Sequence, residues 1–254
     1  MKIAICISGQ ARNYEKGYQE LKKWFLDKYD CDIYIHTWKD KKIIRSNFDE
    51  NFTPSHSYEL NDNDFDQILK LYQPKAHYFQ YPIKFDINDI KGKLNRRFNN
   101  LMSAAYSIQA CYDLVKESGI KYDLVIRYRF DLQFTDWVSP DCQFLTDITQ
   151  LDPTYIHAFE YYVENGIEGR PGEIDDLFAI GGMNVMEVYS NYFSYLLYYT
   201  WKDEGYMDWL NYLVTDPDPM VAESYLKYHL VKNNIPINKI DSGNPDWFTA
   251  GIIR

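Results

Sequence analysis

Apolar residues along this chain follow two spacings, which alternate through the first half of the sequence. Short apolar runs are typical of strands, and apolar residues that recur every three or four positions are typical of helices. The predicted strands cover residues 2–8, 31–37, 76–80, 122–132, 154–159, 177–181 and 236–240. The predicted helices cover residues 14–28, 64–72, 99–118, 184–201, 207–214 and 219–233. This alternation predicts crossover connections and therefore a mainly parallel sheet.

The second half of the chain is less regular than the first and is elaborated with helices. Neither an internal repeat nor a linker-like segment is visible in the sequence. We therefore expect a single α/β domain over residues 1–254, with a Rossmann-like, mainly parallel sheet flanked by helices and a helical C-terminal elaboration. The segment NGIEGRPGEI, residues 165–174, contains three glycines and a proline and predicts a mobile loop.

The composition argues against several classes of protein. A general nucleic-acid-binding protein needs a basic face to neutralise phosphates, whereas this chain has a formal net charge of -10. No window reaches the apolar length of a transmembrane helix. The four cysteines include no C-x-x-C pair, so we expect free thiols in a reducing cytoplasm instead of a zinc site or a disulfide framework.

In open α/β sheets, ligands bind beyond the carboxyl ends of the strands, so the residues that follow each strand are the first candidates. The segment SGQARN follows the first strand and contains Ser8, Gly9, Gln10 and Arg12. A small-residue turn between a strand and a helix favours anions, because it exposes backbone N–H groups near a helix N-terminus. A tight turn with one surface arginine explains the same residues equally well, because a single glycine is not a dinucleotide-binding fingerprint.

The fourth predicted strand ends in alternating charges. Arg127, Arg129 and Asp131 share one face if the strand stays regular, and Leu124 and Ile126 share the other. Two guanidinium groups suit a diphosphate, and a nearby carboxylate suits Mg²⁺ or Mn²⁺ bridging the same phosphates. A buried Arg–Asp pair that fixes the end of the strand is the structural alternative. Leaving any of these charges buried and unpaired would be strongly destabilising, so the cluster is more informative than a run of surface charges. We therefore favour a binding site.

Asp175 and Asp176 follow the glycine-rich segment and are the candidate catalytic carboxylates. A carboxylate beside a mobile loop suits a general base or a metal ligand. A capping role is the alternative, since aspartate commonly caps helices. Adjacent carboxylates rarely face the same site, so we expect at most one of the two to be catalytic.

Four other polar or aromatic residues have ordinary structural explanations. His36 and Trp38 follow the second strand, and we expect them to pack at its end instead of binding a ligand. Glu223 and His229 lie on the last predicted helix, six residues apart, and do not share a close helical face. We expect an exposed glutamate and a histidine packed at the edge of the core.

Several separated segments occur in an order that resembles a known group of enzymes. They are KIAICISGQARN, CDIYIHTW, KYDLVIRYRFDL, DDLFAIGGMNVMEVYS and AESYLKYHLVKNNI, and they span Lys2 to about Ile235. Together they resemble GT-A-type glycosyltransferase-like proteins from bacterial surface-polysaccharide clusters and large DNA viruses. The R-x-R-x-D segment is most similar to the lipopolysaccharide-synthesis family WavE.

The resemblance implies transfer of a sugar from a nucleotide-sugar donor to a glycan or glycoconjugate acceptor. It implies a nucleotide-binding half over residues 1–135, with the nucleotide above the carboxyl ends of the first strands, and an acceptor half over residues 136–254. Ser8, Gly9, Gln10 and Arg12 correspond to the nucleotide-binding turn. In the GT-A fold a D-x-D motif that binds the metal and the diphosphate normally ends the fourth strand.

This chain departs from that motif at its first aspartate. Arg129 stands where that aspartate would be, and Asp131 alone matches the motif as the implied ligand of Mn²⁺ or Mg²⁺. Arg127 and Arg129 would then contribute to binding the diphosphate. Asp175 or Asp176 corresponds to the acceptor-side region that holds the base of an inverting enzyme. The expected mechanism is direct displacement, with Asp176 as the base and the arginines stabilising the leaving nucleoside diphosphate.

Two other functions remain open at this point. A sugar nucleotidyltransferase shares the parallel sheet and the phosphate-binding first turn, but it usually has a longer, basic, glycine-rich loop than SGQARN. A non-catalytic module would bind a nucleotide or a sugar in the same cleft without turnover. In each case the expected ligand is a nucleotide or nucleotide sugar, and the expected location is the cytoplasm, that of the host cell if the protein is viral.

Overall fold

The first part of the chain alternates strands and helices, as the sequence predicts. The computed structural model describes residues 1–39, 60–85, 95–134, 138, 142, 147–161, 173–213, 222–240 and 251–252. Its first elements are β1 (Ile3–Gly9), α1 (Tyr14–Leu21, continued by a π-helical turn over Lys22–Leu26), β2 (Cys31–Trp38), α2 (Asp62–Tyr72), β3 (Ala76–Gln80), α3 (Asn95–Glu117), β4 (Leu124–Tyr128) and the short β5 (Leu132–Gln133).

The second part of the described chain is mostly helical and contributes three more strands to the main sheet. Its elements are β6 (Ile156–Tyr161), β7 (Glu173–Gly181), α4 (Met183–Ser190), α5 (Leu196–Trp201), α6 (Glu204–Leu213), α7 (Ala222–Lys232), β8 (Ile237–Lys239) and the short β9 (Gly251–Ile252). Single 3₁₀ segments cover Ile148–Gln150 and Asn191–Tyr195. Among the described residues, no helix combines the length and apolar character needed to cross a membrane.

A seven-stranded sheet organises the molecule, with the strand order β3-β2-β1-β4-β7-β6-β8. β7 is antiparallel to both of its neighbours, and every other neighbouring pair in this sheet is parallel. The prediction of an α/β fold with a mainly parallel sheet is therefore confirmed. Strands from residues 1–135 and from residues 136–254 both belong to this sheet, while β5 and β9 form a separate antiparallel pair.

The sheet has a topological switch point between β1 and β4. From β1 the chain builds outward through β2 to β3, and the next strand, β4, then pairs on the opposite side of β1. Connections on the two sides of such a point lead to opposite faces of the sheet, which opens a crevice at the carboxyl ends of the two strands. The segment SGQARN and the charged end of β4 both belong to this crevice.

The residues of β1 alternate between two cores, one on each face of the sheet. Ile3, Ile5 and Ile7 belong to one core, together with apolar residues of α1 and α2. Ala4 and Cys6 belong to the other core, where the long helix α3 covers β1 and β2. The side chains on the α3 face are smaller, and small side chains allow a helix to approach a sheet closely.

β7 begins four residues earlier than the predicted strand 177–181, and it contains a bulge. Ala158 of β6 pairs with Ala179, and Glu160 pairs with Ile174. One residue of β6 thus lies opposite four residues of β7, from Asp175 to Phe178. The alternative of a cap at the two aspartates does not hold, because Asp175 and Asp176 lie within the bulged strand. Bulges redirect side chains and are frequent next to functional sites.

The single helix predicted over residues 184–201 is wrong, since the structure divides it into α4, a 3₁₀ segment and α5. His229 of α7 explains the end of α4. Its Nε2–H donates to Val188 O at 3.0 Å and to Asn191 Oδ1 at 2.8 Å, and its Nδ1 accepts from Tyr199 Oη at 2.6 Å. A carbonyl engaged in this way competes with the i to i+4 hydrogen bond of a continuing helix.

Candidate functional site at the carboxyl ends of β1 and β4

The turn after β1 is fixed through both polar groups of Gly9. The backbone of this glycine has a φ of +115°, which residues other than glycine rarely adopt. Its N–H donates to Ser107 Oγ at 3.0 Å, and its carbonyl accepts from Thr37 Oγ1 at 2.7 Å. An anion at this turn therefore cannot use the Gly9 N–H without displacing Ser107.

His36 completes the hydrogen bonds behind that turn. Because Ser107 Oγ accepts from Gly9, its own hydrogen is available to His36 Nδ1, which lies 2.7 Å away. His36 Nε2–H is then directed at Gln80 Oε1, at 3.2 Å. Burial lowers the pKa of His36 to about 4, which keeps the imidazole neutral at physiological pH. His36 is therefore a buried structural residue, as the sequence analysis expects.

Trp38 also has a structural place. Its ring stacks on Tyr106 of α3, with ring centroids 5.6 Å apart, and it meets the His36 ring edge-on. The side chain is nearly completely buried. These contacts support the expectation that Trp38 packs at the strand end.

Gln10 and Arg12 lie in the turn itself. The guanidinium Nη2 of Arg12 donates to the side-chain oxygen of Gln10, and the Arg12 N–H donates to Gln10 O at 2.8 Å. Both residues are partly exposed. Asn13 closes the turn with φ 48 and precedes the first residue of α1. The turn therefore presents one guanidinium group beside the N-terminus of α1.

Arg127 connects β4 to β1 across the switch point. The side chain is only 4% exposed. Its Nη1 donates to Ser8 O at 3.1 Å and to the carbonyl of Tyr128. Its Nε has no hydrogen-bond partner, and neither does the buried hydroxyl of Ser8. A cationic side chain is thus held inside the crevice with part of its hydrogen-bonding capacity unused.

Arg129 and Asp131 form a bidentate ion pair just beyond the end of β4. Nε meets Oδ1 and Nη2 meets Oδ2, both at 2.9 Å. The side chain of Asp131 is 1% exposed and that of Arg129 is 26% exposed. The alternative of an Arg–Asp pair fixing the strand end is therefore present in the structure, between these two residues. Arg127 stays outside the pair.

The geometry of Asp131 does not fit the metal ligand that the resemblance implies. Both of its carboxylate oxygens accept from Arg129, so a cation at Asp131 would compete with the guanidinium group for the same carboxylate. In the part of the chain that the structure describes, no three His, Cys, Asp or Glu side chains come together as a metal-binding group. The assignment of Mn²⁺ or Mg²⁺ stays a prediction, and no catalytic step below depends on it.

The bulge of β7 gives its two aspartates different environments. Asp175 is 3% exposed, whereas Asp176 is half-buried. Asp175 Oδ1 accepts from the Leu177 N–H at 2.8 Å, but Oδ2 has no partner. Burial, with a further contribution from the charge of Asp176, raises the pKa of Asp175 to about 8. At neutral pH Asp175 is therefore mainly a neutral acid, and Asp176 is the better candidate for a base.

Two tyrosines that the sequence analysis did not select complete the cluster. The hydroxyl groups of Tyr189, on α4, and Tyr192, on the 3₁₀ segment, are buried and have no hydrogen-bond partner. Both hydroxyls lie within the electrostatic reach of Arg127, Asp176 and Glu223. Burial raises the pKa of each phenol, so both stay protonated. In the sequence the two tyrosines are three residues apart within the helix predicted over residues 184–201, a spacing that places them on one helical face.

Glu223 and His229 differ in their relation to this cluster. Glu223 lies in the first turn of α7 and acts electrostatically on both tyrosines, and it is half-buried, so the expectation of an exposed glutamate is wrong. His229 is buried and forms the hydrogen bonds that end α4. Burial lowers its pKa to about 4, which suits a neutral structural histidine.

The structure therefore gathers most of the predicted residues at one place. Charges from β4, from the residues after it and from the β7 bulge act on one another, since Asp175 and Asp176 both influence Arg129, and Arg127 influences Asp175. Ser8 belongs to the same place through its hydrogen bond with Arg127. A guanidinium group can bind an anion such as a diphosphate, and a half-buried carboxylate beside a neutral acid can accept a proton.

Comparisons of the sequence with protein-family models and with curated proteins gave no match. The family resemblance drawn from the sequence motifs accordingly stays a prediction.

Proposed function

We propose that this chain is a glycosyltransferase with a GT-A-like fold, which transfers a sugar from a nucleoside-diphosphate sugar to a hydroxyl group of a glycan or glycoconjugate. One observation carries most of the proposal. A buried arginine, Arg127, joins β1 to β4 at the switch point and lies within electrostatic reach of Asp175. Such a crevice is where open α/β sheets bind nucleotides.

In the proposed reaction, Asp176 takes the proton of the acceptor hydroxyl group. The acceptor oxygen then forms a bond to the anomeric carbon, and the bond between that carbon and the diphosphate oxygen breaks. The electron pair stays on the nucleoside diphosphate. Arg129, which Asp131 holds by two hydrogen bonds, and Arg127 would stabilise the charge that develops on the leaving group.

The protonation of Asp175 supports Asp176 as the base. A base must be ionised at the working pH, and burial keeps a proton on Asp175, whose pKa is raised to about 8. Asp176 is half-buried and next to it in the same bulge. Asp175 would act as a hydrogen-bond donor beside the reacting groups, instead of accepting the acceptor proton.

The proposal is tested by a ligand screen followed by product analysis. Thermal unfolding is measured with UDP, GDP, CDP and TDP and with their hexose conjugates, because a ligand that binds only the folded state raises its stability. Transfer to a hydroxyl acceptor, or slow hydrolysis of one sugar donor, is the expected activity. Asp176→Asn should lower kcat about 10²- to 10⁴-fold without abolishing nucleotide binding.

Three outcomes would overturn the proposal. Release of pyrophosphate from a nucleoside triphosphate would identify a nucleotidyltransferase. Binding of a nucleotide sugar with neither hydrolysis nor transfer to any tested acceptor would identify a binding module. The absence of a stability response to every nucleotide and nucleotide sugar would remove nucleotide binding from this crevice altogether.

A further inference from the structure

Four buried polar atoms without hydrogen-bond partners lie in the same part of the molecule. They belong to four elements: Arg127 Nε on β4, Asp175 Oδ2 on β7, Tyr189 Oη on α4 and Tyr192 Oη on the 3₁₀ segment that follows it. Each residue is at most 4% exposed. A buried polar group without a partner destabilises a protein by about 1–3 kcal/mol, so native structures contain few of them.

Electrostatic interactions connect all four side chains. Arg127 acts on Asp175, and both of these residues act on Tyr189. Arg127 and Tyr189 in turn act on Tyr192. Asp176 acts on Asp175 and on both tyrosines. Four partnerless atoms on side chains that are linked in this way indicate a shared missing partner better than four scattered ones would.

The hydrogen-bonding capacities of these atoms restrict the chemistry of that partner. Arg127 Nε–H donates only, whereas a phenol or a protonated carboxyl group both donates and accepts. The guanidinium group of Arg127 would repel a metal cation, and the carboxylate of Asp176 would repel a bare anion. Neutral hydroxyl groups, which donate and accept like the phenols, match the whole set. A sugar carries several hydroxyl groups on adjacent carbons.

The position of Arg127 relates the cluster to the nucleotide end of the crevice. Its Nη1 donates to Ser8 O at 3.1 Å, at the carboxyl end of β1, while Nε belongs to the partnerless set. The sugar of a nucleotide sugar is attached directly to the diphosphate. A group that follows the diphosphate would therefore lie next to Arg127, and an acceptor would lie farther along the cleft.

We propose that Tyr189, Tyr192, Asp175 and Arg127 form the subsite that binds the hydroxyl groups of the donor sugar. This inference rests on the proposed function and adds the residues that would distinguish a nucleotide sugar from the free nucleotide. Arg129 and Asp176 are the partly exposed neighbours of the set and mark the side from which a ligand enters. Side-chain rotation of the kind common on binding would open the space.

The test compares the affinity for a nucleotide sugar with the affinity for the corresponding nucleoside diphosphate. Dissociation constants for both ligands are measured by calorimetry on the wild type, Tyr189→Phe and Tyr192→Phe. Each substitution removes one hydroxyl group that has no partner in the protein, so the melting temperature should not fall. Affinity for the nucleotide sugar should fall about tenfold, and affinity for the free diphosphate should stay the same.

Tyr128→Phe is the matched control. Its hydroxyl group is also buried and partnerless, but Tyr128 belongs to the core on the opposite face of the sheet. The substitution should change neither affinity. The same loss of sugar affinity in Tyr128→Phe would assign the effect to the general loss of a phenol and overturn the subsite.

The remaining outcomes separate this subsite from the proposed function. If the diphosphate binds and neither Tyr189→Phe nor Tyr192→Phe lowers the preference for the sugar conjugate, the subsite is wrong and the nucleotide site stands. An effect of the two variants on the acceptor KM alone would assign the hydroxyl groups to the acceptor and also overturn the proposal. If no nucleotide binds to the wild type, the proposed function fails first.

Discussion

The N–H of Gly9 and the hydroxyl group of Ser107 form a hydrogen bond of 3.0 Å between the last residue of β1 and the middle of α3. The hydroxyl group of Ser107 in turn meets His36 Nδ1 at 2.7 Å, while Thr37 binds the Gly9 carbonyl from β2. The conformation of the first turn is therefore set by the strand and the helix beside it. Ser107 is a positioning residue for this turn in the proposed nucleotide site.

Ser107→Ala should weaken nucleotide binding as well as the fold. The substitution leaves the Gly9 N–H and one nitrogen of His36 without their partner, and each buried group left in that state destabilises by about 1–3 kcal/mol. Urea unfolding measures the stability, and calorimetry measures the nucleotide affinity. Ser107→Thr, which keeps the hydroxyl group, should recover the affinity more than the stability.

A matched serine separates positioning from a general effect. Ser194 donates to Gln109 Oε1 at 3.0 Å on the surface, so Ser194→Ala should change the stability by no more than about 0.5 kcal/mol. It should leave nucleotide affinity unchanged. Equal nucleotide affinity in the wild type and Ser107→Ala, measured where both are folded, would remove Ser107 from the positioning role.

Asp131 should influence nucleotide binding through Arg129. Removing Asp131 leaves the guanidinium group of Arg129 without the two hydrogen bonds that orient it. We expect Asp131→Ala and Arg129→Ala to weaken the nucleotide-induced rise in melting temperature to a similar extent, because Asp131 acts through the guanidinium group of Arg129. Breaking a buried ion pair at one partner destabilises by about 3–5 kcal/mol, a value that the partial exposure of Arg129 will reduce.

A double-mutant cycle checks this coupling. If the two residues act as one unit, the double variant should bind the nucleotide no more weakly than Asp131→Ala alone. Additive losses of binding free energy would show that Asp131 contributes independently of Arg129. All four proteins must be compared at a temperature at which each is folded.

Removal of divalent cations should not diminish the nucleotide response. In the observed geometry Arg129 donates to both oxygens of the buried Asp131 carboxylate, so a cation would have to compete with the guanidinium group for them. The melting temperature with each nucleotide is measured in EDTA and in excess Mn²⁺ or Mg²⁺. A response that requires the metal would contradict this expectation and would support the metal assignment at Asp131 that the sequence motif implies.

The alternation of apolar residues was sufficient to predict the parallel part of the sheet. A strand buried on both faces needs apolar side chains at odd and even positions, and the segments of β1 and β4 satisfy that requirement without information from distant residues. The order of strands then brought Ser8 and Arg127 to one edge. Local sequence patterns therefore predict the position of the candidate site but not the hydrogen bonds within it.

Contacts between distant segments determine the rest, and local patterns do not contain them. Ser107 looks like one polar residue on a helix, and its role depends on which part of α3 covers Gly9. Tyr189 and Tyr192 look like packing residues until β7 brings Asp176 within electrostatic reach of both hydroxyl groups. The bulge of β7 depends on its pairing with β6, so the sequence alone predicted a strand that begins after the aspartates.

The buried carboxyl group of Asp175 should make the stability of this protein fall as the pH rises through neutrality. Its pKa is raised from 3.8 in the unfolded chain to about 8 in the folded protein. Between these values the folded state binds one more proton than the unfolded state, so the contribution of this group to the unfolding free energy decreases with pH. The slope is at most about 1.4 kcal/mol per pH unit, and the loss is complete above the folded pKa.

Asp175→Asn isolates this contribution, because asparagine keeps the size of the side chain and does not titrate. The stability of the variant minus that of the wild type should increase from about pH 5 to pH 8 and then level off, as measured by urea unfolding across that range.

Asp152→Asn is the control. Hydrogen bonds from Thr154 lower the pKa of that exposed aspartate, so its contribution is lost only as the pH falls into the acid range. Its stability difference should therefore stay constant from pH 5 to pH 8. A constant difference for Asp175→Asn as well would mean that Asp175 is ionised in the folded protein, and the assignment of Asp176 as the base would lose its main support.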